Sequence, residues 1–504
     1  MNQLRIGALL NYVAIIVNIL IGLIYTPYML RMLGQSEFGL YSLAASIIAY
    51  LTILDLGFGN AIVRYTSKFR AEGKVEEQQY MFGMFLLLYL VVGIVAFIAG
   101  AILTMNVQTL FSQNMTVEEV ERTRIMLWLM TLNLCFTFPM SIWSSIMSAY
   151  ERFVFQRIVT IFRSILNPLV MVVLLSIGYK AIAMVVVMTI FNVVTLIINY
   201  LYCRVHLKIV VKFGRFNWDF LKEVSIYSFW IFLNVIMDRI YWSTGQFVLG
   251  VFKGTAAIAV YAVAIQLQSM YMMFSTAISG VFLPRLTAMV VKENNEKAIS
   301  DIFIRTGRMQ YIVMAFILTG FILFGYPFIL LWAGEDYGEA YYISLLFFVP
   351  LTIPLIQNIG ICILQARNQM RFRSLLYLVI ALFSLGISIP LAKLYGGVGC
   401  AWGTSIALIL GQVIVMNIYY HKKQHLNMIV FWSEILKMSI VPLFFIILFM
   451  AFGEPFIVLL SSPVNLVVGI LLFILSYVPL FWFFSMNTSE RNLVSSPFRR
   501  FINR

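Results

Sequence analysis

Runs of about 20 apolar residues, separated by charged or Gly/Pro-containing breaks, follow one another along the whole chain. In hydrocarbon every backbone N–H and C=O must be satisfied within the protein, so runs of this length are read as helices crossing a bilayer. About fourteen are counted, near 8–30, 38–62, 80–103, 124–148, 156–177, 180–203, 225–250, 256–282, 309–333, 341–365, 373–394, 397–420, 434–453 and 464–486. Segments such as Leu86 to Leu103 are apolar on every face, which in water would need a far larger core. Of 504 residues 62% are hydrophobic and 11% charged, a balance that no soluble globule could cover with polar surface. The expected fold is an all-α polytopic membrane protein of about 14 transmembrane helices.

The net charge of +14 does not point to nucleic acid, because the basic residues sit in short clusters between apolar runs and form no basic domain. Their placement is topological. The N-terminus and the loops after even-numbered helices hold 27 Lys and Arg, the opposite side holds 6, and Arg163 and Arg239 lie inside spans. Both termini are therefore expected in the cytoplasm. The first run is full length and followed at once by another, so it should remain as a helix and not be removed as a signal peptide. Cys135, Cys203, Cys362 and Cys400 lack CxxC spacing, and no thiolate metal site, disulfide framework or other cofactor is indicated. The longest loops, Pro284 to Arg308 inside and Met105 to Thr123 outside, leave no room for a catalytic domain. All three histidines fall in cytoplasmic loops, and neither a P-loop nor HExxH occurs, so catalysis is not expected.

A tandem repeat organises the runs. Gly39-Leu-Tyr41 in helix 2 recurs as Ala259-Val-Tyr261 in helix 8, each tyrosine 23 residues before a landmark at the inner mouth, Arg64 and Pro284. Helices 5 and 6 run from Arg152 to Tyr202, and helices 11 and 12 from Arg367 to Tyr419. A repeat of six helices keeps both halves in the same orientation. The expected organisation is an N-lobe (1–222, helices 1–6), a C-lobe (223–432, helices 7–12) and a final part (433–504) with helices 13 and 14 and a cytoplasmic tail.

The first hairpin contains Pro27, Leu30-Arg31, Leu33-Gly34, Phe38-Gly39-Leu-Tyr41, Asp55-Leu-Gly57, Ala61 and Arg64. In that order these residues resemble the N-terminal signature of polysaccharide flippases, within the multidrug/oligosaccharidyl-lipid/polysaccharide exporter superfamily. The resemblance implies a multi-pass protein of the bacterial cytoplasmic (inner) membrane. It would move polyprenyl-diphosphate-linked oligosaccharide repeat units, for O-antigen, capsule or exopolysaccharide, from the inner to the outer leaflet. It also allows a polysaccharide polymerase or chain-length regulator as a partner.

Charges within the runs are the candidate site. Arg239 lies too deep in helix 7 for its side chain to reach the interface easily, and a charge there costs several kcal/mol unless a cavity or a partner receives it. It is assigned to the anionic headgroup, with a structural carboxylate pair as the alternative. Arg163 in helix 5 joins it, unless it bends back to the cytoplasmic interface. Arg31 at the outer mouth and Asn60 complete the substrate-binding set. Asp55, Asp238 and Arg64 are candidates for coupling or gating, against helix packing for Asp55, charge balance for Asp238 and an interfacial anchor for Arg64. Asn133, Asn167, Asn192, Gln357 and Asn358 can bind sugar hydroxyls or join helices. Guanidinium groups suit a diphosphate because they meet phosphate oxygens with paired hydrogen bonds. A cation- or proton-coupled drug exporter of the same superfamily would need a net acidic cavity. A membrane-embedded glycan polymerase or ligase would need a large outer loop with catalytic bases.

Overall fold

The computed structural model describes residues 3–214, 218–279, 289, 296–367, 369–492 and 495. Among them are seventeen α-helices and no strand. Pro284 lies outside the described residues, as do Arg215, Arg285, Lys292, Arg499, Arg500 and Arg504, which are among the 27 basic residues counted above.

Helix α1 (Gln3–Leu51) is two crossings joined at Gly34, whose φ of 77° is open to glycine without a Cβ penalty. Gly39, five residues on, serves a different purpose: a Cβ there would collide with the carbonyl of Thr255. The second crossing was expected to be continuous over 38–62, and it is not. A 3-10 turn at Thr52–Asp55, then Leu56 at φ 53° and Gly57 at φ 76°, end one helix before α2 (Phe58–Ala71) begins. Two successive left-handed residues cannot extend a right-handed helix.

Next come α3 (Val75–Met105), α4 (Val107–Phe111), α5 (Val117–Ala149), α6 (Phe153–Ser176), α7 (Ala181–Val205), α8 (Trp218–Phe252) and α9 (Thr255–Ser279). After them stand α10 (Glu296–Trp332), α11 (Glu339–Ile356), α12 (Ile359–Ala366) and α13 (Met370–Leu408). A π-helical turn (Ile409–Val415) leads to α14 (Met416–Lys422), and α15 (Met428–Met438), α16 (Ile440–Leu459) and α17 (Pro463–Phe484) end the described helices.

Ten helical runs among the described residues are long and apolar enough to cross a membrane. Two of them, Leu10–Ala71 and Met370–Lys422, contain a glycine reversal, at Gly34 and at Gly396 with φ 62°. Resolving each into two legs turns the ten into twelve. The bent pair Met428–Met438 with Ile440–Gly453, at 48°, gives a thirteenth. The 35-residue α8 has the length of a crossing but is not among the runs apolar enough to pass as one. The protein is thus an all-helical, multi-pass membrane protein, in keeping with the count read from sequence. Ile24 and Leu475 are 72% and 71% exposed, which only lipid makes tolerable.

The chain falls into two compact units. Residues 1–262 with 377–400 form one; 263–376 with 401–504 form the other. These boundaries cut the chain differently from the repeat boundaries at 222 and 432. Within the first unit, α8 and the start of α9 are tied to the first hairpin. Tyr50 and Thr244 share a hydroxyl hydrogen bond, Tyr65 Oη donates to Glu223 Oε1 at 3.0 Å, and Gly39 admits Thr255. Its core gathers Phe58, Phe85, Tyr89, Phe138 and Trp143 around the break in the second crossing.

In the second unit Arg308, only 5% exposed, is clasped by two carboxylates. Its Nε and Nη2 donate to Glu490 at 2.6 and 2.9 Å, and its Nη1 donates to Glu434 at 2.5 Å. Sequence placed Arg308 among the interfacial positive charges; its partners give it a structural task as well.

One aromatic motif occurs twice. Phe155 stacks on Tyr202 at 4.0 Å in the first unit, and Phe372 on Tyr419 at 4.1 Å in the second. The rings are 47 residues apart in both pairs, 155 to 202 and 372 to 419.

Candidate functional site

The break at Asp55 is a built feature. The Gly57 N–H donates to the Asp55 carboxylate, an Asx-type turn immediately before α2. Tyr89 on α3 donates its phenolic hydrogen to Asp55 Oδ1 at 2.8 Å. The Tyr89 ring, fully buried, is held by Phe58 at 6.0 Å and Phe138 at 6.4 Å. The carboxylate is thereby satisfied by neutral donors at the positive end of a half-helix, which lowers the cost of leaving it in the membrane. Asn60 is exposed in the first turn of α2. At the far end of that helix, the turn to α3 sets Lys74 against Glu72 at 2.8 Å, a contact that holds the Glu72 carboxyl below its usual range.

A second polar cluster links three helices. Arg163 Nη1 on α6 donates to Asn192 Oδ1 on α7 at 3.2 Å. The Asn192 amide donates onward to Asn133 Oδ1 at 2.9 Å and Thr137 Oγ1 at 2.8 Å, both on α5. Arg163 therefore reaches across to a neighbouring helix and does not bend back to the interface. One turn along α6, Asn167 Oδ1 is buried with no hydrogen-bond partner.

Arg239 is the third place. It stands 13 residues before the end of α8 at Phe252, about 20 Å at 1.5 Å per residue. The residue is half-buried, and its Nε is buried with no hydrogen-bond partner. Asp238 beside it is exposed. Among the described residues, no ion pair involves Arg163 or Arg239. Neither guanidinium group has a carboxylate within ion-pair distance among the described residues.

The remaining candidates lie at the ends of the hairpin. Arg31 is exposed one turn before Gly34, and Arg64 is exposed with its guanidinium 5.6 Å from the Tyr65 ring centre. The seven candidate residues thus occupy separate places along the first unit.

Sequence reasoning missed the outer fastening. Glu37, buried in the turn after Gly34, pairs with Arg122 on α5 and accepts from the Ala181 N–H at 3.2 Å. Glu119 accepts from Ser36 Oγ at 2.5 Å and Thr255 Oγ1 at 3.0 Å while its backbone completes a capping box with Thr116. An acidic residue inside the Gly34–Gly39 turn was the available signal.

Residues 4–290 match the family model described as polysaccharide biosynthesis protein, more than half of the chain. The chain belongs to this polysaccharide biosynthesis protein family. A family relative from Shigella flexneri assigned as an O-antigen transporter is 21% identical over 414 residues, covering 78% of this chain and 92% of the relative. Among solved structures, the lipid II flippase MurJ in an inward closed conformation superposes with a TM-score of 0.72 at 17% identity, covering 99% of this chain and 100% of that one. An inward-facing multidrug resistance transporter of the MATE family reaches 0.62 at 15% identity, covering 81% and 99%. At these identities the structural matches show a shared fold. For this member of the polysaccharide biosynthesis family, the match to the MurJ structure extends over nearly the whole chain.

Proposed function

We propose that the protein is a flippase that carries polyprenyl-diphosphate-linked oligosaccharide repeat units from the inner to the outer leaflet by alternating access. The family and the O-antigen transporter assignment of the Shigella relative support the cargo class, and the name of the MurJ structure, a lipid II flippase, is consistent with it. The observation that carries the mechanism is the pair of guanidinium groups, Arg163 met only by an amide and Arg239 with an unsatisfied Nε. A cation kept this deep without a carboxylate costs several kcal/mol, and a transient diphosphate removes that cost while it passes.

In this reading Arg239, Arg163, Arg31 and Asn60 contact the headgroup and glycan, while Asp55, Asp238 and Arg64 gate or couple the motion. The repeat halves 1–222 and 223–432 rock about the substrate, 433–504 is appended to them, and both termini lie in the cytoplasm of a bacterial inner membrane. A polysaccharide polymerase or chain-length regulator receives the product. With the inside negative, outward movement of two negative charges is favoured by roughly 4 to 5 kcal/mol per 100 mV, so membrane potential and substrate supply can drive it.

The test replaces Arg239 by Ala and by Lys, confirms insertion, and follows the appearance of lipid-linked glycan in the outer leaflet. Arg239→Ala should abolish transport and Arg239→Lys should restore only part of it; full activity in both removes Arg239 from the headgroup role.

A further inference from the structure

At one end of α13 and α14 the second unit holds a pocket of about 430 Å³ lined by Gln369, Phe372, Val415, Ile418, Tyr419, Lys422, Lys423 and Gln424. Its construction is specific. Phe372 and Tyr419 stack into an apolar wall, and Gln424, 1% exposed, donates to Gln369 Oε1 at 2.7 Å and to the Tyr419 hydroxyl at 3.2 Å. Arg367 locks the same glutamine, its Nη1 donating to the Gln424 carbonyl at 2.9 Å and side-chain Oε1 at 3.1 Å. Val415 is the last residue of the π-helical turn, a rare irregularity that recurs at functional places in helices.

The charge at this pocket is one-sided. Lys422 and Lys423 are exposed, and no ion pair among the described residues engages either ammonium. Between Glu339 and Glu434 the sequence contains no acidic residue at all. The duplicated motif sharpens the contrast. In the first copy His206 stacks on Tyr202 at 4.8 Å; counting on from the paired tyrosine, the second copy has Lys423 in that place. Phe372 and Ile418 are 39% and 51% exposed, an apolar face beside two cations.

We propose that this pocket is a binding site for an anionic phospholipid of the leaflet at this end of the spans, the leaflet that the distribution of basic residues assigns to the cytoplasm. Lys422 and Lys423 meet the phosphate, and the acyl chain lies along Phe372 and Ile418. Basic pockets between membrane helices on the cytoplasmic side are suited to such headgroups, and the aromatic wall holds the chain by area alone. The site does not depend on the transport reading.

The test uses full-length protein in mild detergent, given equal amounts of phosphatidylglycerol and phosphatidylcholine and read by native mass spectrometry. The wild type should retain one phosphatidylglycerol in preference to phosphatidylcholine. The Lys422→Gln/Lys423→Gln double variant should lose that preference by about thirtyfold, with each single variant intermediate. Lys393→Gln, the same charge change elsewhere on α13, should bind as the wild type does. Equal retention of the two lipids, wild-type binding by the double variant, or an equal loss in Lys393→Gln would each overturn the proposal. So would displacement of phosphatidylglycerol by an equal amount of undecaprenyl diphosphate, which would assign the pocket to a transported headgroup. A double variant that loses the lipid and still moves glycan leaves the flippase function standing.

Discussion

Tyr89 and Asp55 meet at 2.8 Å across the break in the second crossing, phenol donating to carboxylate. The pair joins a fully buried ring on α3 to the one place where the helix turns left-handed, so the break is held from outside the segment that contains it.

Tyr89→Phe removes the donor and leaves the carboxylate with the Gly57 N–H. The expected cost is about 1.5 to 3 kcal/mol, the range for hydrogen bonds to charged groups. Thermal unfolding in detergent of Tyr89→Phe, Asp55→Asn and the double variant checks it. The double should be less destabilised than the sum of the singles; simple additivity would mean the two residues act independently.

Asn192→Asp would place a carboxylate against Arg163. The fold should tolerate it, since an ion pair replaces the hydrogen bond from Arg163, and the Asn133 amide and Thr137 hydroxyl, which now accept from Asn192, can turn to donate to the new carboxylate. Transport should fall tenfold or more, at about 1.4 kcal/mol per tenfold, because the guanidinium is no longer offered to an anionic passenger. Outer-leaflet glycan measured at equal protein level decides the matter, and unchanged flux would leave Arg163 a purely architectural role.

Glu37→Gln weakens the outer fastening. Arg122 keeps Glu118 as a partner at 2.5 Å, so the loss should be modest, about 1 to 2 kcal/mol for a pair that is buried on one side only. Glu37→Leu, which also removes the acceptor of the Ala181 N–H, should cost more. Melting temperatures of the two variants give the order directly.

Two glycines of the first turn should fail for different reasons. Gly34→Ala meets no atom but must adopt φ 77° with ψ 169°, a nearly glycine-only conformation, at a strain of roughly 1 to 3 kcal/mol. Gly39→Ala has an ordinary backbone and collides with Thr255, so it should be the worse of the two. The yield of folded protein in the membrane, compared at two temperatures, separates them.

The orientation can be read by labelling. Lys180→Cys and Lys422→Cys are both exposed positions. A membrane-impermeant maleimide added to intact cells should label the first and reach the second only after permeabilisation. The reverse pattern would invert every loop assignment.

Much of this was written in single segments. The reversal at Gly34 could be read because a glycine stands between two apolar runs, and the charges at 163 and 239 because lipid makes any charge conspicuous. The break after Asp55 could not. Asp55 and Gly57 stand out in the sequence, but the run around them is apolar and scans as one helix, and what fixes the break is a tyrosine on another crossing. Arg163 shows the same limit. Its partner Asn192 is 29 residues away, and the relative rotation of two helices is written in neither of them. Lys422 and Lys423 were counted as topological charges, and only the stacked rings beside them reveal a cleft.

The clasp on Arg308 has a practical sequel for anyone shortening this chain. Glu490 follows the last crossing by only a few residues, yet it faces a cation that begins nearly two hundred positions earlier. A stop codon placed directly behind α17 would strand that cation with one carboxylate where it now has two, and the damage would surface far from the cut. Reporter fusions and affinity tags therefore belong beyond Glu490, where the polypeptide has already been buttoned down.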